Sequence, residues 1–229
     1  MNLFMKHKTH EKSCIKITLT DKKPTIFDSK VGGLGYIPHD ENFPCDSQGN
    51  QLRLLAQIDC SQVNLEDFPQ SGLLQFWILN HESCGYDAKN PRKQDGFRVI
   101  YYSEIDKTVT EQEVISKFIE NKYDNEDFFP VKKECGMLFT LEIDFDNEED
   151  DESEDACHQI GGYPCFISSL KLKKIKKKHD FLLFQLDMDF SEDDELRIIW
   201  EDAGIGNFFI NSKKLKKLDF SDVWYNCSF

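Results

Sequence analysis

Two short apolar segments of the sequence each contain a glutamine that is followed two residues later by an aspartate. Gln57 and Asp59 belong to a Leu-Leu-Ala-Gln-Ile-Asp segment, and Gln185 and Asp187 belong to a Leu-Leu-Phe-Gln-Leu-Asp segment. Because side chains alternate across a β-strand, the glutamine and the aspartate of each segment share one face. A buried amide is costly unless it is hydrogen-bonded. The four side chains are therefore expected either to fasten a neighbouring loop or to line a shared pocket.

A cation precedes each of two Gly-Gly pairs. Lys30 lies two residues before Gly32-Gly33, and His158 lies three residues before Gly161-Gly162. Neither pair belongs to a Gly-x-Gly-x-x-Gly or P-loop motif, so both are expected to form tight turns with positive φ. Lys30 and His158 could then face one anionic ligand as part of the candidate pocket, or they could remain surface charges or bond to loop carbonyl groups.

Residues that could act as nucleophiles lack a recognisable base. His39 and Cys45, and also Cys157 and His158, are close in the sequence, but this does not establish the contact that nucleophilic catalysis needs. The sequence contains no Gly-x-Ser-x-Gly, His-Glu-x-x-His or Cys-x-x-Cys motif. We therefore expect no catalytic residues, no bound metal and no cofactor.

The composition indicates an acidic globular protein. The chain has 229 residues, of which 39% are hydrophobic and 13% aromatic, and its formal net charge is −14. A chain of this mass can bury roughly 70% of its surface without staples. The acidity argues against a nucleic-acid partner, because phosphate binding needs a basic footprint.

The termini and cysteines favour a cytoplasmic location. Residues 1–12 contain no apolar region of signal-peptide length, and the longest apolar runs are far shorter than a membrane span. The eight cysteines are expected to be free thiols in a reducing compartment. We therefore expect a cytoplasmic protein without a membrane partner.

Many short strands and few helices are predicted. Alternation and short apolar runs predict strands at residues 14–20, 52–59, 72–79, 97–103, 136–145, 181–188, 195–200, 207–211 and 222–228. A helix is predicted over residues 111–123, where Thr110 and Glu113 form a capping box. A short basic helix over residues 213–218 would have Ser212 as its cap. Short connections indicate a β-rich α+β fold with mostly antiparallel sheets.

The two halves of the sequence repeat one pattern: a Gly-Gly turn, a strand with the glutamine and aspartate, and a glycine before an aromatic strand. The second glycine and the glutamine are 24 residues apart in the first half and 23 in the second, and the next glycine follows after 15 and 19 residues. These ordered matches predict an internal duplication. We expect residues 1–143 and 157–229 to be the two halves of one compact domain.

Residues 144–156 are expected to form an exposed acidic loop between the halves. Nine of the twelve residues from Asp144 to Asp155 are acidic, which prevents a packed core there. The alternative is a calcium-binding loop, but its sixth position is Glu149, where that loop requires glycine. Residues 171–179 contain six lysines, which could pair with the acidic loop, remain solvated or bind phosphate.

Several segments together resemble a known family. They are Ser-Lys-Val-Gly-Gly at 29–33, Leu-Ala-Gln-Ile-Asp at 55–59, Gly-Leu-Leu-Gln-Phe at 72–76, His-Gln-Ile-Gly-Gly-Tyr-Pro at 158–164, Phe-Gln-Leu-Asp at 184–187, Trp-Glu-Asp-Ala-Gly at 200–204 and Asp-Phe-Ser-Asp-Val-Trp at 219–224. On these segments the chain resembles the YwqG-like family of bacterial proteins, which has no established function. The resemblance implies a β-rich fold with an internal duplication and transfers no catalytic residues. The chain departs from the family at Phe43-Pro44, where Trp-Pro is usual, and at Trp200-Glu201-Asp202, where Trp-Gly-Asp is usual.

Two functions follow as hypotheses. The first is a cytoplasmic, non-enzymatic module whose acidic surface binds a basic protein, and by analogy the resemblance adds a toxin as a candidate partner. The alternative is a small-molecule-binding or hydrolase-like protein with a pocket between the two repeats, built from Gln57, Asp59, Gln185, Asp187 and His158. The sequence leaves open whether the protein is a monomer or an oligomer.

Overall fold

An antiparallel sheet of ten strands forms the centre of the computed structural model, which describes residues 11–120, 123, 128–145, 158–165, 169–190, 195–201 and 204–228. The strands of this sheet are β1 (Glu11–Thr20), β2 (Lys30–Val31), β3 (Arg53–Asp59), β4 (Leu73–Ile78), β5 (Phe97–Tyr102), β6 (Cys135–Phe145), β7 (Gln159–Gly161), β8 (Phe181–Leu186), β11 (Ile205–Ile210) and β12 (Val223–Ser228). A separate hairpin contains β9 (Asp189–Phe190) and β10 (Leu196–Ile198). The described helices are α1 (Glu111–Ser116), α2 (Ser169–Lys176) and α3 (Ser212–Leu215). The fold is β-rich and mostly antiparallel, which confirms the predicted fold class.

The two long strands β1 and β6 occupy the middle of the sheet. They pair over ten residues each, from Glu11 opposite Phe145 to Thr20 opposite Gly136. On one side follow β7, β8, β11 and β12, and on the other side follow β2, β3, β4 and β5. The short strand, the glutamine strand and the aromatic strand thus occur in the same order in both outward directions. Both halves of the chain contribute to one sheet, while descent from an internal duplication stays a prediction.

The sheet curls until its two ends face each other across an aromatic core. The rings of Phe76 on β4 and Phe184 on β8 stack with 4.7 Å between centroids. Phe97 on β5 lies 5.1 Å from Tyr225 on β12, again between ring centroids. All four side chains are buried. The sheet therefore nearly closes into a barrel, and its core is shared between the two halves.

A second apolar cluster covers the outer face of the first half. Leu54 and Trp77 of the sheet pack there with Tyr36 and Ile37, which follow the first Gly-Gly pair, and with Val114 of α1. This layer places the loop of the first Gly-Gly pair directly over β3 and β4. Among the described residues, no helix combines the length and apolarity that crossing a membrane requires.

Helix α1 is shorter than predicted. Its predicted cap is confirmed, because Thr110 Oγ1 accepts a hydrogen bond from Glu113 N at 3.2 Å. The prediction that the helix extends to residue 123 is wrong, since it ends at Ser116. Val114 alone of the helix is buried, whereas Ile115 is 51% exposed. Further turns would gain no packing energy, and packing is what stabilises most short helices.

The two basic helices also differ from the sequence prediction. Helix α2 begins two residues before the lysine-rich run and continues into it to Lys176, where no helix was predicted. Helix α3 begins one residue earlier than expected and ends at Leu215, not at Leu218. Asn211 and not Ser212 is its N-cap, because Asn211 accepts a hydrogen bond from Lys213 N at 3.1 Å. Helix ends with several capping residues in a row are fixed by tertiary contacts that sequence patterns do not show.

Both Gly-Gly pairs have left-handed backbone, as predicted. The φ angles are 65° and 66° at Gly32 and Gly33, and 74° and 68° at Gly161 and Gly162. A Cβ atom at Gly32 would lie 2.7 Å from Cγ1 of Val131. Glycine is therefore required at the first turn both for its conformation and for the space.

Glu201 also adopts a left-handed conformation, with φ of 51°, at the position where the resembling family usually has glycine. This conformation costs a residue with a side chain about 1–2 kcal/mol. Replacing Glu201 with glycine removes this cost, but the greater flexibility of glycine in the unfolded chain offsets part of the gain. We expect Glu201→Gly to raise the free energy of unfolding by about 0.5–1 kcal/mol, measured by urea denaturation.

The matched control is Glu104→Gly, at an exposed residue whose φ is not positive. At Glu104 the free energy of unfolding should fall by about 0.5–1 kcal/mol, because glycine there relieves no strain and only makes the unfolded chain more flexible. Equal losses at both positions would contradict strain at Glu201.

Candidate functional site

Gln57 is fully buried on β3 and uses its whole side-chain amide. Its Oε1 accepts hydrogen bonds from Tyr36 N at 2.9 Å and from Gln75 Nε2 at 2.8 Å. Its Nε2 donates to the carbonyl oxygens of Ile26 and Asp28, at 2.9 Å and 3.0 Å. These are the four hydrogen bonds that a primary amide can form. Gln57 therefore fastens the loop of the first Gly-Gly pair to the sheet.

Gln75 extends this arrangement onto the neighbouring strand β4. Its Nε2 also donates to Tyr36 O at 2.7 Å, and its Oε1 accepts from Trp77 Nε1 at 3.0 Å. A Cβ atom at Gly35 would lie 3.1 Å from Gln75 Nε2, so the loop passes closely over the amide. We call Gln57, Gln75 and Trp77 the first amide network.

A second amide network occupies the matching place in the other half. Gln185 Oε1 accepts from Cys165 N at 3.0 Å, in the segment after the second Gly-Gly pair, and from Asn207 Nδ2 at 2.7 Å. Asn207 Oδ1 in turn accepts from Asn226 Nδ2 at 3.1 Å. We call Gln185, Asn207 and Asn226 the second amide network. In both halves a strand glutamine thus holds a backbone N–H of the segment that follows a Gly-Gly pair.

The two predicted aspartates stabilise local backbone. Asp59 Oδ1 accepts from Ser61 N at 3.0 Å and caps the short 3₁₀ turn Cys60–Gln62. Asp187 Oδ1 accepts from Met188 N at 2.7 Å. Both carboxylates are half-buried at strand ends, where they close turns.

Lys30 and His158 do not occupy matching positions. Lys30 pairs with Gln57 across β2 and β3, whereas Gln159 is the residue that pairs with Gln185 across β7 and β8. Lys30 is 1% exposed, and its Nζ lies 2.7 Å from Glu134 Oε1. Lys30 and His158 therefore do not form the symmetric pair of cations that a shared anionic ligand would need.

His158 matches Ser29 instead. Asp187 N donates to His158 Nδ1 at 3.0 Å, just as Asp59 N donates to Ser29 Oγ at 2.8 Å. Each of these side chains, placed just before a Gly-Gly pair, receives the backbone N–H of the aspartate that ends the glutamine strand. The residue of the first turn that corresponds to His158 is therefore Ser29, and not Lys30, which follows it.

A buried ion pair lies next to His158, and the sequence analysis missed it. His158 Nε2 lies 2.9 Å from Asp189 Oδ2, and Arg197 Nε donates to Asp189 Oδ1 at 2.6 Å. Arg197 also donates to Phe190 O at 2.8 Å and to Leu19 O at 3.3 Å. His158, Asp189 and Arg197 are at most 8% exposed. The available signal was an arginine between Leu196 and Ile198 within a predicted strand.

The hydrogen bonds of His158 leave no nitrogen for proton transfer. A backbone N–H can only donate, so Nδ1 accepts from Asp187 N and the ring proton is assigned to Nε2, which donates to Asp189. A general base needs a free nitrogen lone pair within reach of substrate. The arrangement therefore positions the β9–β10 hairpin.

The structure does not bring Gln57 and Gln185 together. Gln57 stands between Ala56 and Ile58, which both face the central core, so its side chain points to the outer face. Gln185 likewise stands between two core side chains, Phe184 and Leu186. Because both amides point away from the core that the halves share, they belong to two separate networks.

A surface cleft of about 580 Å³ lies where the two ends of the sheet meet. One wall is formed by residues 88–93, between β4 and β5, and the other by Ser221, Asp222, Trp224 and Lys174 of α2. We call it the junction cleft. None of the six predicted pocket residues lines it. The sequence signal for it was the cation pair Arg92-Lys93 in a loop, which the sequence analysis did not weigh.

Cys45 is not an activated nucleophile, because burial raises the pKa of its thiol. His39 is exposed and bonds to Glu113 Oε1 at 2.8 Å and Thr108 Oγ1 at 3.0 Å, while Cys45 Sγ lies 3.5 Å from Phe43 O. Cys157 lies outside the described residues. Within the described ranges, no group of three or more His, Cys, Asp or Glu side chains could hold a metal ion.

The described cysteines are mostly buried thiols. Burial raises the pKa of Cys14 to about 11 and that of Cys60 to about 12, so both stay protonated at neutral pH. Free thiols occur at Cys14, Cys45, Cys60, Cys84, Cys135 and Cys227. Cys165 is disulfide-bonded, so the expectation of free thiols throughout the chain is wrong at this position.

A nearly closed β-sheet with two amide networks, which hold the segments after its two Gly-Gly pairs, defines the class of protein. Residues 29–228 match the family described as "Domain of unknown function (DUF1963)", and the chain belongs to this family. No curated protein matches the chain.

Proposed function

We propose that the protein is a non-enzymatic protein-binding module and that strand β6 is its docking element. The polar side chains predicted to form a pocket instead form hydrogen bonds to loops, strand ends and neighbouring side chains. By contrast, Leu141, Ile143 and Phe145, at alternate positions of β6, are 51%, 51% and 43% exposed. This row of exposed apolar side chains is the observation that carries the proposal, because contiguous exposed apolar surface marks interaction sites.

One edge of β6 is open within the described part of the chain. Strand β2 pairs with β6 only at Cys135 and Gly136, whereas β6 continues to Phe145. An open edge presents backbone N–H and C=O groups that a strand of another protein can pair with. Leu141 and Ile143 share one face of β6, so a strand added at this edge would pack its apolar side chains against them.

The charge of the chain supports a basic partner. The net charge is −14, the exposed Glu142 lies between Leu141 and Ile143, and Glu11 lies opposite Phe145. Complementary charge steers association and excludes partners of like charge. The proposed partner is therefore a basic protein that offers an extended segment, and a toxin is one candidate.

The proposal includes a cytoplasmic location and a place in the YwqG-like group. The segments quoted above support the group, and the free thiols at six described cysteines support a reducing compartment. The disulfide at Cys165 is the observation against that location.

Replacing both Leu141 and Ile143 with threonine should weaken capture of the basic partner about 10- to 100-fold. Threonine keeps the strand but removes most of the apolar contact. Tagged full-length protein is used to capture the partner from lysate of its own host, and the affinity of the captured protein is then measured at physiological and high salt. The wild-type complex should also weaken at high salt, since exposed charges are screened.

The matched control replaces Ile115, within α1, and Ile119, three residues after the end of that helix, with threonine. These residues are 51% and 64% exposed but lie outside β6. Its affinity should equal that of the wild type. Equal weakening by both double variants, or absence of any stoichiometric basic partner, would overturn the proposal.

A further inference from the structure

We propose that the junction cleft binds a small soluble anion that carries two or more phosphoryl groups. Four cations line the cleft, namely Lys89, Arg92, Lys93 and Lys174, against the single carboxylate of Asp222. This local excess of positive charge occurs in a chain of net charge −14. Basic residues concentrated in a cleft focus the electric field and raise the local concentration of anions.

The cationic wall is held in place by the fold. Asp87 Oδ1 accepts hydrogen bonds from Lys89 N at 2.8 Å and from Asn90 N at 3.1 Å. Tyr225 N on the edge strand β12 donates to Pro91 O at 2.8 Å. The loop that carries Lys89 and Arg92 is thereby fixed to the opposite end of the sheet, which lowers the cost of ordering it around a ligand.

The carboxylate of Asp222 offsets only part of the positive charge of the cleft, because it is shared between His179 and Arg92. Its Oδ1 lies 3.2 Å from His179 Nε2 and 3.4 Å from Arg92 Nη1. Burial raises the pKa of Asp222, but the hydrogen bond with His179 and the nearby charges of Arg92 and Lys214 outweigh it, so the pKa lies below its usual value. Asp222 thus stays ionised and orients one edge of the Arg92 guanidinium, whose other N–H groups can still donate.

Two of the four cationic side chains that line the junction cleft have no carboxylate partner within the described residues. Lys93 bonds to Asp95 at 3.0 Å and Arg92 to Asp222, whereas neither Lys89 nor Lys174 forms a salt bridge there. Arginine binds phosphoryl oxygens in a bidentate manner and lysine adds point charge. A volume of about 580 Å³ suits a small ligand.

Trp224 allows ligand binding in the junction cleft to be followed by tryptophan fluorescence. It lines the cleft and is half-buried, with Lys174 Nζ 5.9 Å from the centroid of its ring. The other two tryptophans, Trp77 and Trp200, are 0% exposed. A change of intrinsic fluorescence on ligand addition therefore reports mainly on the junction cleft.

The test titrates the full-length protein with sodium tripolyphosphate and follows tryptophan fluorescence, with calorimetry as the second measurement. We expect saturable binding that weakens as salt rises. Replacing Lys89 and Arg92 with glutamine should weaken it by about tenfold or more, since charge-assisted hydrogen bonds are lost. Both residues are exposed, so the variant should keep the melting temperature of the wild type.

The matched control replaces Lys173 and Lys177 with glutamine, which removes the same charge from exposed positions outside the cleft. Its affinity should stay within about twofold of the wild type. Equal weakening by both double variants would assign the binding to diffuse surface charge and overturn the proposal. No saturable change, or citrate binding as tightly as tripolyphosphate, would overturn it as well.

A second arm separates a free ligand from a lipid headgroup. Phosphatidylcholine vesicles with and without phosphatidylinositol bisphosphate are sedimented with the protein. We expect the protein to remain in the supernatant with both vesicles. Sedimentation that depends on the phosphoinositide and on Lys89 and Arg92 would overturn the assignment to a soluble ligand.

Discussion

Replacing Gln57 with leucine is expected to lower the free energy of unfolding by about 3–5 kcal/mol. The substitution leaves Tyr36 N, Ile26 O and Asp28 O without their side-chain partner and removes one of the bonds of Gln75. Each lost bond contributes about 1 kcal/mol, and an unsatisfied buried group costs about 1–3 kcal/mol. Leucine has nearly the volume of glutamine, so little of the effect comes from a cavity.

Urea denaturation of the full-length chain measures this loss, and Gln112→Leu on the exposed surface of α1 is the control. The control should change the free energy of unfolding by no more than about 0.5 kcal/mol. A glutamine kept for ligand binding would behave in the opposite way, since its removal would spare stability. A loss below about 1 kcal/mol for Gln57→Leu would therefore favour the pocket hypothesis over the amide network.

The role of the glutamines could be predicted because it depends on local rules. Strand alternation places Gln57 and Asp59 on one face, and the cost of a buried amide requires partners for it. The Gly-Gly pairs similarly predict the left-handed turns that the amides hold. What the sequence could not show is that the two faces point outward, away from each other, because this depends on how the whole sheet curls.

The two proposed binding surfaces depend on contacts between distant parts of the chain. Arg92 and Asp222 are 130 residues apart in sequence and meet only because the sheet nearly closes. Among the described residues, the edge of β6 is open because its neighbour β2 has only two residues. Alternating apolar residues predict that β6 is a strand, but the length of the neighbouring strand determines how much of its backbone edge remains unpaired.

Helix α1 shows the same dependence in a negative form. Its apolar periodicity continues past Ser116, yet Ile115 and Ile119 find no core to pack against and stay exposed. Periodicity predicts which side chains share a face of a helix, whereas packing of that face decides how far the helix extends.

The second large effect is expected at the buried ion pair of Asp189 and Arg197. Asp189→Leu should lower the free energy of unfolding by about 3–5 kcal/mol, because it leaves the Arg197 charge buried without its carboxylate. His158 Nε2 loses its acceptor in the same variant. Arg197→Met should have a similar effect, since the Asp189 carboxylate then keeps only the bond from His158.

The double variant, Asp189→Leu with Arg197→Met, should recover most of this loss. A buried ion pair replaced by apolar side chains of similar volume no longer contains an unpaired charge, and such replacements are often close to neutral. The interaction energy in this double-mutant cycle should exceed about 3 kcal/mol when measured by urea denaturation, because the double variant should lose less than either single variant. Additive losses would instead show that each charge acts through its other partners, which are His158 for Asp189 and the carbonyl oxygens of Leu19 and Phe190 for Arg197. In that case the β9–β10 hairpin would be held by these backbone contacts, and the ion pair would serve to neutralise charge.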